Sequence, residues 1–210
     1  MHTWVEQFQA MSGFELAAVL FALAYIYLVG RQHIACWACG FLSTACFTYV
    51  FWDATLVFSM LLNVYYMGMA GYGYYQWRQG GQTERTTALP ITTWPLNTQI
   101  RVIGLTTFAG VGLWWVQALY TSEVANTAAL AQLSLVGGLD AFVTAFSVVA
   151  TWMVAHKIYQ NWPFWVVINA AAACLYALSG LYLSAGLFVL YVLFSLHGWR
   201  QWYVEVQAAR

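Results

Sequence analysis

The chain has 210 residues, 62% of them hydrophobic, 19% aromatic and only 7% charged, with a formal net charge of zero. So few charges cannot solvate the exterior of a soluble core with that much apolar surface, and lipid is therefore the expected solvent. The neutral balance, without a basic run, argues against a nucleic-acid partner or a polybasic membrane anchor.

The opening residues, MHTWVEQFQAMSG, carry no Lys or Arg ahead of an apolar run, and no small-residue cleavage pattern follows. No removable signal peptide is expected. Seven apolar runs are long enough to cross a hydrocarbon core of about 30 Å. They lie at roughly 13–30, 33–51, 54–77, 102–120, 127–155, 162–179 and 181–202. The fold class is thus all-α integral membrane protein. Short polar stops separate the runs, and the one real linker, 79–99, carries Pro90 and Pro95, Gly, Thr and two charges. Asn161 before Trp162 and Pro163 suggests a capped start to the sixth span.

The cations fall on one side. Arg31 follows span one; Arg78, Arg85 and Arg101 surround the linker after span three. Lys157 follows span five, and Arg200 and Arg210 close span seven. Asp53 and Glu123 occupy the opposite loops. The positive-inside rule then predicts an outside N-terminus and a cytoplasmic C-terminus.

A shift of 125 residues superimposes the two ends of the chain. Trp37 falls on Trp162, Tyr66 on Tyr191, Gly73 on Gly198, Gln76 on Gln201 and Trp77 on Trp202, without a gap, and Glu15 falls on Asp140. This is the signature of a duplicated unit. Three spans carry a chain across, so a second copy in the same orientation needs one inverting helix between. The expected arrangement is 3+1+3. A first triple-helix unit with its cytoplasmic linker occupies 1–101, the unpaired helix 102–126, and the second unit 127–210. In such folds a substrate site lies between the repeats near mid-membrane.

Candidate site residues follow from polarity at depth. Asp140, Thr144, Ser147 and Thr151 share one stripe of span five, which should face the protein because polar groups against lipid are costly. Ser and Thr also bond to their own helix carbonyls, which is the plainer role for each alone. Asn63 and Asn169 sit deep in spans three and six, where an amide needs a neighbouring helix or a ligand with donors and acceptors. Trp162, Trp165, Asn169 and Tyr176 form a stripe on span six. Trp162, like most of the twelve tryptophans, reads as an interface anchor. Trp165 lies deeper and is the better stacking candidate. Tyr66 and Tyr191 complete an aromatic box suited to a flat or cationic ring. Asp140 and Glu15 offer a cation or proton site, although Glu15 reads slightly better as a helix-end partner.

Other chemistries lack their parts. Cys36-x-x-Cys39 reads as packing inside a span. No His ligand spacing supports a metal or haem, no P-loop exists, and no nucleophile–base pair shares a depth. Gly68, Gly71 and Gly73 read as packing positions. The chain is expected to be no enzyme and to need no cofactor; the glycines and aromatic edges leave room for a homo-oligomer.

Taken together, Asn63-Val-Tyr-Tyr, Tyr72-Gly-Tyr-Tyr-Gln-Trp77, Asp140 with Thr144 and Ser147, Lys157, Asn161-Trp162-x-x-Trp165, Tyr176 and Gly198-x-x-x-Trp202 resemble the PnuC family of vitamin transporters. The resemblance covers nearly the whole chain. It departs at Thr151, near which the family has Gln. The resemblance implies a 3+1+3 fold related to the sugar-transporting SWEET proteins, in a bacterial inner membrane. It also implies facilitated diffusion of nicotinamide riboside, with a cytoplasmic kinase trapping the product by phosphorylation. The proposed substrate contacts are Asn63, Tyr66, Asp140, Thr144, Ser147, Thr151, Trp165, Asn169, Tyr176 and Tyr191. Proton- or sodium-coupled import of thiamine or riboflavin is the alternative, and a membrane-embedded enzyme a more distant one.

Overall fold

The computed structural model of the protein describes residues 12–53, 57–79, 89–122 and 127–208. They form seven helices: α1 (Gly13–Gly30), α2 (Cys36–Asp53), α3 (Val57–Gln79), α4 (Leu96–Ser122), α5 (Thr127–Ala155), α6 (Asn161–Leu178) and α7 (Tyr182–Ala208). Five of these, α1, α4, α5, α6 and α7, are long and apolar enough to cross a membrane. In α2 the apolar stretch is the shorter Cys36–Val50. The Tyr- and Gly-rich α3 is not among the five. Large apolar side chains line the outside of the bundle, Phe108 on α4 being 80% exposed. That surface suits hydrocarbon as solvent.

Local chemistry sets the helix ends. Ser12 caps α1 in a reciprocal box: Glu15 N–H donates to Ser12 Oγ (3.2 Å) while Ser12 N–H donates to the Glu15 carboxylate (2.7 Å). Glu15 therefore works as a helix-end partner of its own helix. At the other end of α1, Gln32 N–H donates to Val29 O (2.9 Å) and His33 N–H to Leu28 O (3.0 Å). The end of α5 repeats this: Lys157 N–H donates to Val154 O (3.0 Å) and Ile158 N–H to Met153 O (2.9 Å). Both are Schellman turns. Such turns prefer glycine at the left-handed residue, yet here that residue is Gln32 (φ 52°) or Lys157 (φ 49°). Each costs about 1–2 kcal/mol over glycine. Tertiary contacts hold them.

Helices adjacent in sequence pack against each other within Gly13–Gln79 and again within Thr127–Ala208, and α4 packs against α5. Two further pairings join the halves: α1 with α7, and α3 with α5. These are equivalent under the 125-residue shift. The core at this junction is built from Val29, Cys36, Trp37, Ala70, Trp77, Val154, Ala155, Trp162 and Trp202.

Trp162 is no interface anchor: it is 1% exposed, and Trp37, Trp77 and Trp202 are as deeply buried. Asn161 does not cap α6. The cap position is Gln160, whose side chain makes no capping bond to the helix, and the Asn161 amide instead donates to Ile158 O (2.6 Å). The linker is also less free than its composition implied. Thr92 N–H donates to Lys157 O (3.0 Å), and Tyr159 N–H donates to Thr92 O (2.8 Å), closing a parallel bridge onto the α5–α6 loop. Gln160 pairs with both backbone groups of Trp94. Helix α4 then begins at Leu96, ahead of the expected start near 102.

Glycine supplies the closest approach. A Cβ at Gly73 would stand 2.2 Å from the Trp37 ring, and one at Gly198 2.2 Å from the Trp162 ring. Gly68 and Gly71 meet nothing within 4 Å, so packing explains Gly73 but not those two. Gly73→Ala or Gly198→Ala should lower the melting temperature in detergent, overpacking costing about 1–3 kcal/mol. Gly71→Ala should raise it, by up to about 1 kcal/mol of helix propensity. Equal effects at all three positions would show that the indole seats are not tight.

Candidate functional site

The site grows from two equivalent stripes. On α3, Asn63, Tyr66, Ala70, Gly73 and Trp77 recur at helical spacing along one face; on α7, Phe188, Tyr191, Ser195, Gly198 and Trp202 do the same. In each stripe the last two members make the tight seat, and the members further from that end, Ala70 apart, are polar or aromatic.

Along the α3 stripe, the side chains of Tyr66 and Ser147 approach each other, bringing α3 onto the α5 stripe. The neighbouring Tyr65 hydroxyl donates to Val148 O at 2.9 Å. Thr151 Oγ donates to the Ser147 carbonyl (2.8 Å), so its hydroxyl serves its own helix. Ser147 and Thr151 are buried, Thr144 is half-buried, and Asp140 is the most exposed of the stripe. Asn63 is buried on α3.

The second half contributes a complementary line. Asn169 Nδ2 donates to Ser195 Oγ at 3.2 Å, both fully inside, tying α6 to α7. Tyr176 stacks on Phe188 (5.1 Å, 24°), and Phe188 meets Tyr191 edge-on (5.3 Å, 77°). Asp140 lies within electrostatic reach of Tyr176. Trp165 is half-buried, wedged between the junction core and a smaller apolar group of Phe146, Ala150 and Ile168.

Seven of the ten expected residues thus fall into linked sets: Tyr66 with Ser147 and Thr151, Asn169 with Ser195, and Asp140 with Tyr176, Phe188 and Tyr191. Phe188 and Ser195 were missed. Both were accessible as members of the Tyr191 stripe, and Phe188 is the repeat mate of Asn63. Two cavities, of about 420 and 110 Å³, open against α4, and none of the ten residues lines either.

The buried cation stands apart from this line. Lys157 is 4% exposed at the bundle end where the basic residues gather, its Nζ donating to Gln32 Oε1 (2.8 Å) and sitting over the Trp77 ring (4.6 Å). Burial pushes its ammonium below the usual lysine range, and the Glu205 carboxylate opposes that. His156 is held too. Protonation at Nδ1 lets it donate to Trp152 O (2.9 Å) while Nε2 accepts from the Tyr72 hydroxyl (3.0 Å). Among the described residues no cluster of three or more His, Cys, Asp or Glu could hold a metal ion.

The helix arrangement is similar to the crystal structure of the vitamin B3 transporter PnuC, with a TM-score of 0.70 at 21% identity, covering 97% of this chain and 86% of that one. In sequence the chain is 27% identical over 207 residues to the nicotinamide riboside transporter PnuC of Escherichia coli K12, covering 91% of this chain and 85% of the relative. The nicotinamide riboside transporter PnuC of Haemophilus influenzae is 23% identical over 208 residues, covering 95% and 79%. The model of the nicotinamide mononucleotide transporter family matches residues 12–204, and the chain belongs to that family of multi-pass membrane transporters.

Proposed function

We propose that this protein is a uniporter that admits nicotinamide riboside across a bacterial inner membrane. In this reading, two parallel three-helix units, α1–α3 and α5–α7, are joined by the inverting α4. The N-terminus is outside and the C-terminus cytoplasmic. The riboside binds between the units, and rocking of one against the other alternates access. The observation that carries the reading is family membership over residues 12–204, with relatives named as nicotinamide riboside transporters.

The site chemistry supports the same substrate. Nicotinamide riboside presents a flat cationic ring, an amide and a ribose. Trp165, Tyr66, Tyr176 and Tyr191 offer ring faces, Asn63 and Asn169 amides, and Thr144 and Ser147 hydroxyls. Thr151 contributes less, its hydroxyl being taken by Ser147 O. Asp140 favours a positive ligand. A kinase in the cytoplasm then traps the product.

The family's name refers to the mononucleotide, its curated relatives' names to the riboside. Charge favours the riboside. A phosphate would bring about two negative charges among Tyr, Asn, Ser and Thr, beside Asp140. The only buried cation of the described spans and loops, Lys157, is engaged at the bundle end. An unpaired buried dianion is prohibitive. Coupled transport by a carboxylate pair loses support because the capping box occupies Glu15.

In proteoliposomes, labelled nicotinamide riboside should equilibrate without any pH or sodium gradient while the mononucleotide stays out. Equal mononucleotide flux, or uptake only under a gradient, would overturn the uniport reading. Trp165→Ala should weaken riboside binding by about 1–2 kcal/mol, through loss of a cation–π face; an unchanged Kd returns Trp165 to packing. Asn169→Leu combined with Ser195→Ala removes both ends of one hydrogen bond, which is close to neutral for stability. Riboside affinity should still fall in that pair. Restored affinity would mean that Asn169 only fastens α6 to α7.

A further inference from the structure

We infer that the basic end of the bundle is a reciprocal latch: the Trp77 and Trp202 indole bonds, reinforced by the Lys157–Gln32–Glu205 bridge, hold the cytoplasmic side shut and release to let substrate out. The inference deepens the alternating-access reading above and takes its sidedness from it.

Trp77 Nε1 donates to Val154 O at 3.2 Å, and Trp202 Nε1 donates to Val29 O at 3.2 Å. The donors are repeat mates and so are the acceptors. Each indole reaches out of its own unit to a last-turn carbonyl of the first helix of the other. Those carbonyls already accept from Lys157 and Gln32 N–H, so the indoles take a second lone pair that α-helical bonding leaves open. The two inter-unit contacts, α1 with α7 and α3 with α5, are thereby fastened at the same end.

A third tie breaks the symmetry. Gln32, from the first unit, takes a hydrogen bond from Lys157 and donates to the Glu205 carboxylate, bridging two charges of the second unit. Lys157 covers the Trp77 ring from above. The left-handed backbone at both Gln32 and Lys157 is the sort of local cost that persists where a switch region needs it.

The closed form also carries its own penalty, which a permanent weld would not. Trp37 Nε1, Trp162 Nε1 and Gln201 Oε1 are buried at this end without partners. Trp37 and Trp162 are repeat mates, each edge-on to the latching indole of its own unit, at 5.3 and 5.5 Å. Parting the units would hydrate these atoms, offsetting the bonds that are lost. A small number of weak, reciprocal bonds against a few orphaned polar atoms gives two states of comparable energy.

Cys36 is a built-in reporter, being fully buried among Val29, Val154, Ala155, Trp162 and Trp202 of both units. In full-length protein in liposomes, with Cys39, Cys46 and Cys174 replaced by Ser, a membrane-impermeant maleimide is presented to the basic face. Trp77→Phe with Trp202→Phe keeps an aromatic ring at each position and deletes both donors, and should speed Cys36 labelling roughly tenfold or more. Trp37→Phe removes an N–H that has no partner and should leave the rate within about twofold. An unchanged rate in the double variant, or an equal rise in Trp37→Phe, would overturn the latch. Should the double variant fail to fold, Lys157→Met keeps the stem but cuts the bridge, and must speed labelling in the same direction; no change there also overturns it. Faster labelling reached only from the opposite face would uphold the latch and overturn the orientation.

Discussion

Everything in this bundle is referred to one constraint: an indole from each half must reach a helix-end carbonyl of the other half. For that to happen twice, equivalently, the halves must present the same end to each other. The Trp77–Val154 and Trp202–Val29 bonds are therefore statements about orientation as much as about stability. Each bond contributes only about 1 kcal/mol. What makes the pair decisive is the fit around it. Trp37 and Trp162 lie in seats that only glycine can provide, at Gly73 and Gly198, and they fix the indoles edge-on.

From that end the two stripes run inward with a change of character. Trp and Gly give way to Tyr, Asn, Ser and Phe, so the same helix face that clasps at one end offers polar and aromatic groups further in. Tyr66 reaches Ser147 across the junction, whereas Tyr176, Phe188 and Tyr191 form a ring line within the second half. The stripes thus offer ring faces and neutral donors and acceptors, with the buried Lys157 held at the far end. That division of labour fits a carrier of a cationic nucleoside better than a carrier of its phosphate.

The helix count was legible because apolar runs broken by charge are a one-dimensional signal, and the gapless 125-residue offset is a signal of the same kind. Helix bounds followed within a few residues, except at the end of α7, which runs on to Ala208 past the expected 202, and at α4, where Pro95 starts the helix at Leu96 inside a segment whose composition reads as linker. Burial was the harder property. Trp162 next to Asn161 and Pro163 looks like an interface residue on local grounds. Only the packing of Gly198 beneath its ring makes it core. The docking of Thr92 onto the α5–α6 loop leaves no pattern, since a single bridge has no period. Within the site, Tyr66, Asn169 and Tyr191 stood out as polar or aromatic groups at depth. Ser195 and Phe188 did not, although both keep the register of Tyr191. Thr151 keeps the register of the α5 stripe, with its hydroxyl donating to the Ser147 carbonyl of its own helix, the plainer role open to any Ser or Thr.

The central claim is that the two halves are copies standing the same way up in the bilayer. Single cysteines at exposed repeat mates test it most directly, using Arg78 and Tyr203 at the basic end and Asp53 and Leu178 at the other, each probed with an impermeant thiol reagent from either face. The account predicts that Arg78→Cys and Tyr203→Cys react from the cytoplasmic face, and Asp53→Cys and Leu178→Cys from the outer one. Mates that react from opposite faces would contradict it.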